Sequence, residues 1–152
     1  MVCMSRGTGH LRYTSTGRLV ALVLWLLFIW ANSCVPGEAS SSESLAFLQL
    51  VRPVFEALGV SDVNLMHTIV RKAAHFTEYL VLGVLAARAF GLSPVLAVVL
   101  VGVCAPSVDE TIQLFVPGRV GAVTDVLIDM AGYTTGSALV ALVSHRRTEA
   151  TN

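Results

Sequence analysis

Four long apolar segments run along the chain, separated by short polar stretches that contain glycine, proline and serine. The segments cover about residues 19–35, 67–90, 95–108 and 120–143. A helix needs about 17–25 apolar residues to cross a bilayer, so the first segment meets only the lower limit. The third is shorter still, and we expect its helix to continue towards Phe115. Four helices joined by short loops predict one membrane-spanning bundle.

An amphipathic stretch lies between the first two spans. Pro36-Gly37 ends the first helix, and Ser40 with Glu43 three residues later resembles a capping box opening a helix that ends near Leu58. We predict a short interfacial helix here, with a lid over a site as the alternative. The predicted fold class is therefore all-α, an integral membrane bundle of four transmembrane helices plus a short interfacial helix.

The composition supports a membrane protein. Hydrophobic residues make up 55% of the 152 positions and charged residues 13%, and the mean hydropathy of +0.73 lies outside the usual range for a soluble domain. Ten basic and ten acidic residues cancel, which gives no electrostatic reason to expect nucleic acid as a partner. The expected partner is the membrane lipid bilayer.

Basic residues predict the orientation, because cytoplasmic loops are enriched in lysine and arginine. In a four-span arrangement, the side of the termini carries Arg6, Arg12, Arg18, Arg88, Arg146 and Arg147, and the other side carries Arg52, Arg71, Lys72 and Arg119. This distribution predicts a multi-pass protein of the cell membrane with both termini in the cytoplasm. The domains would be a basic leader (1–18), a four-span domain (19–143) and a tail (144–152).

The first apolar segment also has the anatomy of a cleavable signal peptide. Ala31-Asn32-Ser33 is a passable cleavage site, whereas the residues before Cys34 make a poor lipoprotein box. We favour retention of this segment as a signal anchor.

Polar residues share one face with small or apolar residues in two of the predicted spans. The second span carries Arg71, His75, Glu78 and Leu82 on this face, and the fourth carries Asp125, Asp129, Gly132 and Gly136. A lone charge near the bilayer centre costs about 2.5–3.5 kcal/mol, so these groups must be paired, protonated or hydrated. We expect Arg71 or Arg119 beside Asp125, and His75 beside Glu78 or Asp129.

The predicted topology brings these groups to the outer end of the bundle as a candidate polar cleft. The candidate residues are Arg71, Lys72, His75, Glu78, Tyr79, Asp109, Glu110, Gln113, Arg119, Asp125 and Asp129. Gly132 and Gly136 form a G-x-x-x-G pair, for which we predict a role in helix packing. The alternative is that the polar network only holds the bundle together.

Several kinds of chemistry suit such a cleft. Carboxylates and imidazole can hold a divalent cation, but no compact ligand motif is present, so we predict no metal site and identify no cofactor. The same groups can act as general acid and base beside an arginine that holds a phosphate. No activated serine or cysteine nucleophile is evident.

Two motifs resemble the signatures of the VanZ-like family. The first is the segment 71–80 followed by Gly83, and the second is the segment 109–119 continuing through Asp125, Asp129 and Gly132. The stretch after the first span, with Asn32-Ser33, Pro36-Gly37 and the serine run, is also similar to the family. The resemblance implies a small multispanning protein of the bacterial envelope, akin to one associated with low-level resistance to the glycopeptide teicoplanin.

Three functions follow as hypotheses. The first is a protein that engages an anionic lipid or a lipid-linked cell-wall precursor through an outward-facing polar cleft and affects glycopeptide susceptibility. The second is a membrane-embedded enzyme that acts on a phospholipid or a lipid-linked phosphate. The third is a structural or assembly protein with an internal polar network.

Overall fold

The computed structural model describes residues 16–90 and 99–149, and no strand occurs in these ranges. The helices are α1 (Thr16–Ser33), α2 (Gly37–Ala57), α3 (Val63–Phe90), α4 (Ala105–Leu114) and α5 (Val123–Glu149). The all-α prediction is confirmed. Most of the predicted leader, the turn after α3, the first residues of the third apolar segment and the end of the tail lie outside the described residues.

The helix between the first two predicted spans starts earlier than predicted. α2 begins at Gly37 directly after Pro36, with no side-chain cap. The predicted capping box is therefore wrong, because Ser40 already lies inside the helix, where its N–H donates to the carbonyl of Pro36. The Gly37 N–H instead donates to the carbonyl of Pro117 at 3.0 Å. A hydrogen bond to a residue distant in sequence thus satisfies an N–H of the first turn of α2. This helix is 21 residues long, whereas we predicted a short one.

A π-helical turn, Leu100–Cys104, leads directly into α4. Pro106 follows it and lacks the N–H that would continue a regular α-helical ladder. Local π-helical turns accommodate such interruptions inside helices. The turn carries Gly102, and a Cβ atom there would lie 2.7 Å from the ring of Tyr133. The turn therefore packs closely against α5.

The most extensive helix contact lies between α3 and α5. A Cβ atom on Gly132 would collide with the carbonyl oxygen of Phe76, and one on Gly136 with that of Leu80. Both glycines are buried. Because the obstructing atoms belong to the backbone, side-chain rotation cannot relieve either collision. The structure thus places these glycines where the two backbones approach each other most closely.

The α1 helix is part of the same core. Ile29 is completely buried, and Leu22 is nearly so. The Trp30 indole Nε1 donates to the carbonyl of Ala105 at 3.4 Å, which connects α1 with the start of α4. Segments of the chain on both sides of α3 therefore pack into one core.

Two helices, α1 and α5, are long and apolar enough to cross a membrane. Core helices and signal sequences pass the same test, and α1 lies near the N-terminus. Within the described residues, the π-helical turn and α4 are together shorter than a full span. The α3 helix is long enough, but its charged residues, including Arg71, Lys72 and Glu78, make it less apolar. The helices therefore support two candidate spans, not four.

Candidate functional site

A polar cleft of about 170 Å³ opens where the C-terminal end of α1, the first turns of α2 and the N-terminal half of α3 meet. Its lining residues are Asn32, Ser33, Val35, Ser40, Glu43, Ser44, Arg71, Ala74, His75, Glu78 and Arg119. Arg119 comes from the loop between α4 and α5. The cleft thus combines residues of α1, α2 and α3 with one residue from the loop between α4 and α5.

Arg119 connects this loop to the end of α1. Its Nε donates to the carbonyl of Val35 at 3.0 Å, and its Nη2 donates to the carbonyl of Asn32 at 2.8 Å. The last carbonyls of a helix have no partners within the helix and carry partial negative charge, so a cation is favourable there. Arg119 therefore both stabilises the end of α1 and lines the cleft.

Arg71 adds a second positive charge to the cleft. Burial lowers the pKa of the Arg119 guanidinium, and the neighbouring charge of Arg71 lowers it further, although arginine stays protonated in proteins. Across residues 16–90 and 99–149, the Arg71 side chain has neither a hydrogen bond nor an ion pair. Two nearby like charges, neither of them in an ion pair among the described residues, favour an anion between them.

Glu78 lies on the α3 side of the cleft, and α1 determines its position. Its Oε1 accepts a hydrogen bond from Asn32 Nδ2 at 3.2 Å. Its backbone carbonyl accepts another from the indole Nε1 of Trp25 at 2.9 Å. These two bonds hold the middle of α3 against α1.

Behind the cleft lies a buried cluster of four potential metal ligands. His75, Asp109, Glu110 and Asp129 each offer one ligand atom, and these atoms all lie within 4.8 Å of one another. His75 Nδ1 is 3.4 Å from Asp129 Oδ1 and 4.0 Å from Asp109 Oδ2. The cluster joins α3, α4 and α5 at one point, and we call it the four-residue cluster.

Two carboxylates of this cluster are held by neighbouring groups. Ser33 Oγ donates to Asp109 Oδ1 at 2.5 Å, and Gln113 Nε2 donates to Ser33 Oγ at 3.4 Å. Glu110 Oε2 accepts from the backbone N–H of Ala122 at 2.8 Å. Each of these two carboxylates is therefore oriented through one oxygen.

The other oxygens of the cluster are buried without partners. Among the described residues, Asp109 Oδ2, Glu110 Oε1 and both oxygens of Asp129 have no hydrogen-bond donor. The Tyr79 hydroxyl and Gln113 Oε1 are likewise buried and unpartnered within the described ranges. Buried polar atoms are normally paired, so each exception calls for an explanation.

Lys72 and Asp125 form a separate, more exposed pair. Lys72 Nζ lies 2.5 Å from Asp125 Oδ1, and the two side chains are 39% and 17% exposed. The predicted pairing of an arginine with Asp125 is wrong, because Lys72 occupies that position. A groove beside this pair also contacts Arg71 and His75.

The Lys72–Asp125 pair is expected to contribute little to stability. Ion pairs in contact with solvent contribute about 0–1 kcal/mol, so Asp125→Asn should lower the free energy of unfolding by less than about 1 kcal/mol. Thermal unfolding of the purified protein in detergent, with Lys72→Gln and the double variant, measures the coupling. A decrease of more than about 2 kcal/mol in the free energy of unfolding would contradict the expectation that solvent weakens this ion pair.

Apart from the Lys72–Asp125 pair, the structure divides the predicted cleft residues into two sets. Arg71, His75, Glu78 and Arg119 line the cleft. Tyr79, Asp109, Glu110, Gln113 and Asp129 are all buried behind it. His75 connects the sets, since it lines the cleft and approaches Asp129. The expected contact between His75 and Asp129 is therefore present.

Sequence reasoning missed several residues of the site. Asn32 donates a hydrogen bond to Glu78, Ser33 donates one to Asp109, and Ser40 and Ser44 of α2 line the cleft. The resemblance noted after the first span, which included Asn32-Ser33 and the serine run, was the signal that pointed to them. The indole of Trp25 had no comparable signal, because aromatic residues are common in apolar helices.

The model of one protein family, described as VanZ/LLP1, matches residues 18–144. No curated protein and no solved structure matches the chain.

Proposed function

The chain belongs to the VanZ/LLP1 family, and from this and the geometry of the cleft we propose that it binds the phosphate of an anionic membrane lipid. The lipid is either a phospholipid or a lipid-linked cell-wall precursor. The family is associated with membranes and with glycopeptide resistance. The observation that carries the proposal is a cleft with two arginines that adjoins an apolar groove.

The proposed topology is the four-span bundle, with both termini in the cytoplasm and the cleft facing outwards. Exposed apolar side chains on different helices support contact with lipid, among them Leu24, Leu50, Ile69 and Leu142. At the opposite end from the cleft, Arg18 Nη1 donates to the carbonyl of Arg88 at 3.2 Å. Basic residues at that end favour the cytoplasmic side.

The arginines supply the recognition of phosphate. Guanidinium groups bind phosphate through two parallel N–H donors, which gives both strength and geometry. Arg119 is held in place by the carbonyls of Asn32 and Val35, while Arg71 has no partner side chain in the described ranges. A phosphate between them would supply the missing counter-charge, and the hydroxyls of Ser40 and Ser44 would be available as further donors.

An apolar groove of about 640 Å³ runs beside the cleft between α1, α2 and α3. Its lining residues are Trp25, Phe47, Val51, Phe55, Ile69, Val70, Ala73, Ala74, Thr77, Glu78 and Val81. Ala74 and Glu78 line both the groove and the cleft. This continuity matches an amphiphile, with its phosphate in the cleft and an acyl or prenyl chain in the groove. A soluble phosphate would leave the groove uncovered.

Fluorescence quenching tests this proposal. In a Trp30→Phe background, Trp25 in the apolar groove is the only tryptophan, and lipids with brominated chains quench it when they bind. We expect stronger quenching by brominated phosphatidylglycerol than by brominated phosphatidylcholine. Arg71→Ala should reduce this preference by about tenfold or more, because a bond to a charged group contributes about 1.5–3 kcal/mol.

Arg52→Ala is the matched control. Arg52 pairs with Glu56 on the exposed side of α2 and does not line the cleft, so its loss should keep the preference. Equal quenching by both lipids in the wild type would contradict the proposal. A polyprenyl phosphate and inorganic phosphate, added as competitors, distinguish a lipid-linked precursor from phosphate alone.

The link to glycopeptides is tested with the same variants in cells. In a teicoplanin-sensitive bacterial host, the wild type and Arg52→Ala should raise tolerance, and Arg71→Ala should not, at matched protein levels in the membrane. If Arg71→Ala raised teicoplanin tolerance as much as the wild type does, the tolerance would not depend on the cleft.

A further inference from the structure

We propose that the four-residue cluster binds one divalent transition-metal ion in the interior of the bundle. The ligands are one imidazole nitrogen from His75 and one carboxylate oxygen each from Asp109, Glu110 and Asp129. This inference concerns the ion alone and does not depend on the lipid proposal. It departs from our sequence-based expectation of no metal site, because the ligands come from three separate helices and form no motif in the sequence.

The distances fit a shared ion. Ligand atoms about 2.1 Å from the same ion can lie up to about 4.2 Å apart. The separations of 3.4 Å and 4.0 Å from His75 Nδ1 to the two aspartates satisfy this limit. All four ligand atoms lie within 4.8 Å of one another, so side-chain shifts of about half an ångström would complete the site.

The unpartnered oxygens point to a cation. Asp129 is 0% exposed, and both of its oxygens lack a donor among the described residues, as does Asp109 Oδ2. The short separation between His75 Nδ1 and Asp129 Oδ1 does not have hydrogen-bond geometry. Neither atom therefore has a hydrogen-bond partner among the described residues, and one ion bound by both atoms would supply that partner.

Charge leads to the same conclusion. Three carboxylates lie together, each at most 5% exposed. Lys72 pairs with Asp125, and Arg119 donates to the carbonyls of Asn32 and Val35. No lysine or arginine in residues 16–90 and 99–149 pairs with the cluster. Among the described residues, His75 approaches Asp109 and Asp129, and it can carry at most one positive charge. Three buried carboxylates exceed that single charge, and a bound divalent ion offsets the excess.

The donor set indicates the class of metal. Imidazole suits ions such as Zn²⁺ and Fe²⁺, and carboxylates suit Mn²⁺ and Mg²⁺, so a mixed set favours Mn²⁺, Fe²⁺ or Zn²⁺. Outer hydrogen bonds orient ligands at such sites, and Ser33 provides one to Asp109, supported in turn by Gln113. His75 lines the cleft and retains 13% exposure, which gives the ion a route of entry.

Direct titration with Mn²⁺ tests the site. The full chain is purified in detergent, stripped with a chelator and titrated with Mn²⁺, while free Mn²⁺ is followed by electron paramagnetic resonance. We expect one bound ion per chain and a rise in melting temperature on binding. Zn²⁺ should compete for the same site.

Three variants make the test specific. Asp129→Asn should weaken binding by about 100-fold or more. Ser33→Ala, which keeps all four ligands and is the gentler change if Asp129→Asn fails to fold, should weaken it by about tenfold. Glu56→Gln, which replaces an exposed carboxylate of α2 that pairs with Arg52 and is not part of the cluster, should bind as the wild type does.

Two outcomes would overturn the proposal. One is a wild type that binds neither Mn²⁺ nor Zn²⁺ with one-to-one stoichiometry. The other is equal affinity in the wild type and in Ser33→Ala and Asp129→Asn. In either case the cluster would be a network of shared protons. Because no lipid is added, the result is independent of the quenching experiment.

Discussion

Replacing Gly136 by alanine is expected to lower the free energy of unfolding by about 1–3 kcal/mol, and replacing it by leucine should abolish the folded bundle. A Cβ atom at this position collides with the carbonyl oxygen of Leu80. Because backbone atoms are involved, α3 and α5 must separate along their whole contact. The same change at Gly132, against Phe76, should have a similar effect.

Thermal unfolding in detergent, monitored by size-exclusion chromatography, measures the loss. Ala138→Val is the matched control, since Ala138 lies on α5 but is exposed and tolerates added methyl groups. A Gly136→Ala protein as stable as the wild type would show that the two helices do not depend on this close approach. If Ala138→Val lost as much stability as Gly136→Ala, the loss would not be specific to the contact between the two backbones.

Replacing Arg119 by alanine is expected to cost about 2–3 kcal/mol of stability and also to impair lipid binding. Its hydrogen bonds to the carbonyls of Asn32, in α1, and Val35, just after α1, are charge-assisted. Such bonds contribute about 1.5–3 kcal/mol each before solvent exposure reduces the value. Lysine keeps the charge but lacks the planar group that reaches both carbonyls. Arg119→Lys should therefore recover only part of the loss.

Comparison with Arg71→Ala separates the two roles of the arginines. Arg71 has no partner side chain in the described ranges, so Arg71→Ala should leave the melting temperature nearly unchanged while lipid selectivity falls. Arg52→Ala, which breaks an exposed pair on α2, should change stability by about 0.5 kcal/mol or less. An Arg119→Ala protein with wild-type stability would contradict the anchoring of α1.

Much of the helical content could be predicted because hydrophobicity is a local property. The apolar run that ends at Phe90 coincides with the end of α3 in the described chain. The start of α2 could not be predicted from the local pattern. The Gly37 N–H donates to the carbonyl of Pro117, which is distant in sequence. The local sequence favours a capping box at Ser40, but the hydrogen bond from Gly37 to Pro117 lets the helix begin earlier, at Gly37.

The candidate site shows the same division. Helical periodicity correctly placed Arg71, His75 and Glu78 on one face of α3, and all three line the cleft. Periodicity shows which face of a helix a residue occupies, but it does not show which residues of a neighbouring helix lie opposite that residue. The burial of Asp129 and the pairing of Lys72 with Asp125 depend on the register between α3 and α5, which the glycine contacts determine.

The polar face of α3 has a consequence for biosynthesis. If α3 spans the membrane as we propose, its charged side chains enter the bilayer before α4 and α5 have been synthesised. During that interval His75 lacks Asp109 and Asp129, the neighbours it has in the finished protein, and an unpaired charge in lipid is costly. Stable insertion of α3 would therefore have to wait for the C-terminal third of the chain. A nascent chain truncated before Val123 should be a substrate for membrane quality control.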